Sequence, residues 1–326
     1  TITPDVMQEA LEAYQRVYRQ YDANSINDIP VEVFYKELAR YQPLVNNAKE
    51  AFADPKTGMA PGVMGLTAED MQNFYSQLPK RLESVIWLEQ SGKPGYEQAQ
   101  AIAQKKFDAV QKPFTYSFGV SSDAMDYQTL LSLLLTLLCA VIAAPVFASD
   151  AQTGAQDIQL CTKNGGLRLA AAKLAAAFSI TGAAYLLCGV VWIMVTNALF
   201  GWESTQTSVQ WLFSVTSLLP YTVGQMEWVM LVANFLIFFA EVAFVLMASV
   251  WAKNNLTALS VALISVVAPL IVYMVVPGSF GEWLSTLIPA GGIGLSNALL
   301  YKMISFDLLY AGGHAFFQAD VLLASV

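Results

Sequence analysis

Glu241 is a carboxyl set near the middle of an apolar run, about 13 residues after Trp228 and 10 before Trp251. An ionised carboxylate at such a depth costs roughly 2.5–3.5 kcal/mol on insertion scales for Asp. The side chain must therefore face the interior of a helix bundle, hold a proton or find a partner. Asn234, seven residues earlier, lies on the same helical face. Two roles stay open for the pair: a polar contact between helices, or a place on a substrate path or in proton handling. A second set of chemical groups sits in the polar stretch from Ser149 to Arg168, between two apolar runs. It carries Asp150, Asp157, Lys163 and Arg168, with Lys173 just beyond, around the apolar residues Ile158 and Leu160. Those types suit recognition of a partner rather than bond-making. Sequence signals for catalysis are missing: no GxxxxGK[ST] phosphate loop, no HExxH, and a single histidine, His314, in a Gly312-Gly313-His314 turn. One histidine and no cysteine pair make a poor metal site, and no base stands near a candidate nucleophile.

These residues sit in a chain of 326 residues that is 56% hydrophobic and 13% charged, with mean hydropathy +0.47. A soluble domain carries roughly 25% charged residues, so the composition points to a membrane protein. The charge is unevenly spread. Residues 1–126 hold 12 of the 17 Lys and Arg and 17 of the 25 Asp and Glu. The net charge of −8 divides as −5 and −3 between residues 1–126 and 127–326. Neither part is basic, which excludes nucleic acid as an expected partner. Cys139, Cys161 and Cys188 all lie in or between apolar runs, so the polar part uses no disulfide.

Residues 1–126 read as an all-helical domain. Thr3-Pro4-Asp5 starts a helix that runs to about Tyr21. Pro30 opens a second, to about Ala53, interrupted or bent at Pro43. Thr67 and Asp70 cap a third, to about Gln90, and Pro94-Gly95 precedes a fourth, to about Lys112. Phe34, Tyr35, Tyr41, Phe74, Tyr75, Trp87 and Phe107 are the expected aromatic core, with a peptide- or lipid-binding face as the other reading.

The rest reads as a transmembrane domain with four spans at about 130–148, 169–199, 228–251 and 256–276. The first has 19 residues without a charge, roughly 28 Å of helix against a bilayer core of about 30 Å. Trp228 and Trp251 anchor the ends of the third. Val209–Tyr221 is apolar but too short to span. The stretch at about 283–300 is broken by Pro289, Gly291, Gly292 and Gly294. Such a run suits a re-entrant external hairpin whose backbone protein or water covers, with a bent spanning helix as the alternative. The expected fold is all-α: a polytopic helical membrane protein with a helical extracellular domain. Lys163, Arg168, Lys173 and Lys253 put the loops 149–168 and 252–255 in the cytoplasm. Residues 1–126, 200–227 and 277–326 then lie outside, in a multi-pass protein of the cell membrane. An external start without a signal peptide predicts a further span before residue 1. The apolar tail 319–326 predicts another beyond it.

The order Asp150…Gly154…Asp157-Ile158…Leu160…Thr162…Gly165-Gly166…Arg168…Lys173 resembles the cytoplasmic loop of ABC-2 type permeases, the membrane subunits of a class of ABC exporters. The likeness covers about residues 127–326 and includes the broken hairpin before an expected last span. Residues 1–126 correspond to the external insert of the large-insert branch. The usual acidic residue is Glu, where this chain has Asp150. The resemblance implies that 149–168 is a coupling loop docked on a separate ATPase subunit through Asp150, Gly154, Asp157, Ile158, Leu160, Thr162 and Arg168. It implies a second permease subunit, a homo- or heterodimer in membrane lipid, and a bulky or amphipathic substrate. ATP and Mg belong to the partner ATPase; this chain binds no cofactor and is no enzyme itself. Two other readings remain. One is a four-span mechanotransmitting ABC permease acting on an external partner. The other is a membrane receptor with a helical sensing domain.

Overall fold

Thr3 and Pro4 start the first helix as their types require: the Thr3 hydroxyl accepts from the Val6 amide at 3.4 Å and Pro4 fills the first turn. The computed structural model describes residues 1–119 and 121–325. Val326, the last residue of the apolar tail, lies outside them. In chain order the helices are α1 (Pro4–Gln20), α2 (Val31–Val33), α3 (Gln42–Ala51), α4 (Ala68–Gln72), α5 (Phe74–Gln90) and α6 (Tyr96–Asp108). Then come α7 (Ser122–Ala143), α8 (Pro145–Thr153), α9 (Ala155–Leu160), α10 (Leu167–Phe200), α11 (Val209–Leu212), α12 (Val223–Trp251) and α13 (Asn255–Val275). The chain ends with α14 (Gly278–Leu287), α15 (Leu299–Ile304), the strands β1 (Leu308–Ala311) and β2 (His314–Phe317), and α16 (Gln318–Ser325). The fold is mostly helical, and the β1–β2 hairpin is a departure from the all-α expectation. Gly312 and Gly313, at φ 58° and 81°, make its turn.

One compact unit holds residues 1–119 together with 201–226 and 310–315. The sequence division at residue 126 had left the last two segments in the membrane part. The apolar stretch too short to span packs into this unit instead. Its Trp211 meets Phe74 and Phe114 at ring-centroid distances of 6.5 and 6.3 Å. Ser208 N donates to Thr115 O at 2.9 Å, and Asn47 Nδ2 to Trp211 O at 3.2 Å. Tyr75 Oη donates to Ile2 O and accepts from Phe114 N, joining the start of the unit to residue 114. Phe74 and Phe107 are fully buried as expected, whereas Tyr35 and Trp87 are exposed.

The second expected helix is interrupted at Pro43, as its sequence allowed, and the third is broken at Asn73. Pro43 lacks the N–H that would bond to Ala39 O, so residues 39–41 form a tighter turn and α3 starts at Gln42 with Pro43 in its first turn. Thr67 and Asp70 make the reciprocal cap, with Asp70 N donating to Thr67 Oγ1 and Thr67 N to Asp70 Oδ2. That helix nevertheless stops at Asn73, before α5. Glu50, on α3, accepts from Ser214 Oγ at 2.5 Å and from Val215 N at 3.3 Å. Burial raises its carboxyl above the usual 4.5 against the pull of these bonds and of Arg81.

The second unit holds residues 121–200, 227–309 and 316–325. Four helical stretches are long and apolar enough to cross a membrane: Ser122–Thr153, Leu167–Phe200, Val223–Trp251 and Asn255–Val275. The apolar window of α12 is 56% buried and those of the others 28–33%, so α12 is the central helix. Small residues let α10 approach it: a Cβ on Gly189 would lie 2.3 Å from Leu231 Cδ1. Tyr185 and Phe178 of α10 stack on Phe238 and Phe239 of α12 at 4.4 and 4.2 Å. The stretch 283–300 is no single helix: α14 ends at Leu287 and residues 288–298 are mostly turns before α15.

Pro145 opens α8 directly after α7, and the amides of its first turn need acceptors. Ser249 of α12 supplies one. Its Oγ accepts from Phe147 N and Ala148 N, both at 3.1 Å, and donates to Ala144 O at 2.6 Å.

Two outcomes follow from these contacts. Ser249→Ala removes three hydrogen bonds to the backbone of the joint at 144–148 and is expected to lower stability by about 1–3 kcal/mol, read by unfolding of the protein in detergent. For Glu50, whose folded value is raised, the stabilising contribution is full below 4.5 and is lost as pH rises through the folded value. Hydrogen exchange of segment 42–51, corrected for its intrinsic rate, is therefore expected to speed up with pH over that window, and Glu50→Gln to abolish the dependence.

Candidate functional site

The segment between α7 and α10 is an elbow built by three backbone constraints. Gly154 sits at φ 71°, the left-handed conformation glycine tolerates, and separates α8 from α9. After α9 the chain reverses through Thr162, whose hydroxyl donates to Gln159 O at 2.7 Å. Gly165 closes this turn so tightly that a Cβ there would lie 1.5 Å from Gln159 O. Gly165 thus has a steric reason to be glycine.

Three side chains tie the elbow to neighbouring helices: Ser249 of α12, Gln152, whose Oε1 accepts from Asn255 N of α13 at 2.9 Å, and Lys173. Lys173 of α10 pairs with Asp150 of α8 and donates to Val146 O at 3.2 Å. The sequence placed Asp150 with Asp157 and Arg168 on a rim facing a partner. The structure turns Asp150 inward onto Lys173, where it fixes the angle of the elbow, and leaves Asp157, Thr162 and Arg168 exposed. Arg168 bonds to Asn164, at 3.1 Å, on its own turn. Ile158, Leu160 and Leu167 are 73%, 61% and 87% exposed, a density of bare apolar side chains that a water-facing loop does not need. Beside them an open groove of about 720 Å³ runs between the elbow and the ends of α10 and α12, with Leu160, Leu174, Phe178, Leu246 and Met247 in its walls.

The intramembrane pair divides between two neighbours. Glu241 is fully buried and its Oε1 lies 2.5 Å from Ser265 Oγ of α13, within hydrogen-bond distance. Asn234, 2% exposed, donates to Ser132 Oγ of α7 at 3.4 Å. The two share a face of α12 but do not bond to each other. Both therefore make contacts between helices. Glu241 Oε2 and Asn234 Oδ1 are buried without a hydrogen-bond partner among the described residues.

Two polar groups escaped the sequence reading. Glu227 is 3% exposed and its Oε2 accepts from Asn197 Nδ2 of α10 at 2.8 Å. It stands seven residues before Asn234, so the spacing that linked Asn234 to Glu241 already pointed to it. Lys302 is 2% exposed and donates to Gly291 O at 2.9 Å, fastening the Gly-rich turn. Burial lowers its ammonium to about 8 against the attraction of Asp307. Its signal was its position as the only Lys or Arg after Lys253. His314 is exposed on β2, and the described residues contain no cluster of His, Cys, Asp or Glu fit for a metal ion.

Gly165→Ala is expected to open the turn after α9, because the added methyl and the Gln159 carbonyl cannot share the space. Limited trypsin digestion of the protein in detergent reads this as faster cleavage at Lys163 and Arg168.

The chain matches no protein-family model, no curated protein and no solved structure.

Proposed function

We propose that this chain is the membrane subunit of an ABC-type exporter and that the elbow at 149–168 receives the motion of a separate ATPase. The observation that carries the reading is the exposed apolar set Ile158, Leu160 and Leu167 on a short segment held at a fixed angle by Asp150–Lys173, Gly154 and Gly165. Force transmission needs both features. An apolar contact excludes water at the docking surface, and a rigid lever passes displacement on without absorbing it. Asp157, Lys163 and Arg168 then fix register at the polar edge. The Lys and Arg distribution supports a cytoplasmic elbow, with the unit rich in polar residues outside. The resemblance of the loop to ABC-2 type permeases supports the same assignment. ATP and Mg act on the partner, two permease subunits form the path, and the cargo is bulky or amphipathic.

Four candidate spans and a further helical unit in one chain also suit a mechanotransmitting permease, in which the same elbow moves an external partner instead of a cargo. Both versions need an ATPase at the elbow.

Ile158→Asp combined with Leu160→Asp tests the assignment, since neither side chain packs inside the protein. Purified in mild detergent, the native protein is expected to bring down a stoichiometric subunit that carries a phosphate-loop motif and hydrolyses ATP. The double variant is expected to lose that subunit at unchanged yield. Absence of any such ATPase from the native protein in several detergents would move the receptor reading to first place.

A further inference from the structure

Ser265 Oγ lies 2.5 Å from Glu241 Oε1 and 2.9 Å from the Ala262 carbonyl oxygen. A serine hydroxyl has one hydrogen, and a carbonyl can only accept. If the serine hydrogen goes to Ala262 O, the contact with Glu241 needs a hydrogen from the carboxyl. One proton on Glu241 then completes a line: carboxyl O–H to Ser265 Oγ, and Ser265 O–H to Ala262 O. An ionised carboxylate must take the serine hydrogen for itself. It would also leave the buried Oε2 charged and unpartnered, which is costly away from water.

The serine on this line marks a weak point of α13. Pro269, four residues on, has no N–H, so the Ser265 carbonyl lacks its helical donor. The side chain of Ser265 thus joins a buried acid to the one turn of α13 that its own backbone does not brace. The titratable groups on the elements around it are Glu227 on α12 itself, Asp123, Asp126, Tyr127 and Cys139 on α7, Arg168, Lys173, Tyr185 and Cys188 on α10, Tyr273 on α13 and Glu282 on α14. Of the two cations, Lys173 pairs with Asp150 and Arg168 bonds to Asn164 on its own exposed turn, so neither is a counter-charge to Glu241. On α8, which also packs against α13, Asp150 is taken by Lys173.

We propose that Glu241 is a proton-binding site: its proton holds α12 against the Pro269-weakened turn of α13, and loss of that proton frees the turn to move. The ligand is a proton, delivered when the α12–α13 contact opens to water. The inference rests on α12 and α13 alone and does not need the ATPase reading.

The full chain in phosphatidylcholine vesicles, titrated over pH, tests it with two readouts. Infrared spectra are expected to contain a protonated-carboxyl band that disappears on titration and is missing from Glu241→Gln. Backbone hydrogen exchange at 262–270, corrected for its intrinsic pH dependence, is expected to rise about tenfold in the native protein as that band is lost. In Glu241→Gln it is expected to stay slow at every pH, because the amide donates to Ser265 Oγ as the acid does. Ser265→Ala, which keeps the carboxyl, is expected to exchange fast throughout. A Glu241→Gln spectrum identical to the native one over the whole range would overturn the proposal. So would a band that titrates while exchange at 262–270 stays constant in the native protein.

Discussion

A polar group inside an apolar bundle is tolerable in few arrangements, and α12 carries several in a row. Glu227, Asn234 and Glu241 repeat at seven residues, with Ser249 one residue past the next position. On an α-helix a seven-residue step drifts by only about 20°, so the four share one buried face. Each takes a different partner: Asn197 on α10, Ser132 on α7, Ser265 on α13, and the joint between α7 and α8. The apolar contacts around them are non-directional and would accept many rotations of α12. The polar contacts accept very few, because any other rotation puts an unpaired carboxyl or amide against hydrocarbon. The face is thus a registration device, and it lies on the most buried of the four candidate spans.

The elbow depends on that registration. Pro145 ends the regular bonding of α7, and the freed backbone is taken up by a side chain of α12 rather than by water. The direction of α8 is therefore set from α12 through Ser249 and from α10 through Lys173. Between these two points the chain has no freedom to swing without breaking buried polar contacts. From Gly154 onward the contacts are local, and the apolar residues of α9 face outward. The segment is rigid at its root and bare at its tip.

Much of the membrane part could be read from the chain, because span existence is a question of length and polarity alone. The four apolar runs become four helical stretches with ends shifted by a few residues; the first extends back to Ser122 because Asp123 and Asp126 do not break helical bonding. The Thr67–Asp70 cap was legible for a local reason, a reciprocal side-chain bond. What was not legible is non-local. Nothing near Trp211 announces Phe74 and Phe114 as neighbours, since their meeting is a property of the folded unit. Asp150 and Arg168 looked alike as loop charges. The position of Lys173 on the following helix separates the acid paired with the bundle from the base bonded on its own turn. Tyr35 and Trp87 fit an aromatic core by type but fall on the outer faces of their helices.

Ser249 and Glu241 stand eight residues apart on α12, about 12 Å along one rigid helix. The first holds the root of the elbow and the second holds the unbraced turn of α13. A displacement of α8 bears on α12 through the Ser249 bonds to Ala144, Phe147 and Ala148, and a helix of 29 residues does not absorb it by bending at a glycine or proline, since it has neither between these points. The displacement reaches the Glu241–Ser265 contact as a shift of one side chain against another. A bond between buried oxygens tolerates only small shifts before it is lost, while the apolar packing around it tolerates more. The polar contact therefore yields first. If the elbow is where force enters and Glu241 is where a proton resides, the geometry of α12 makes the two events one: moving the elbow alters proton affinity, and by linkage the proton alters the work needed to move the elbow.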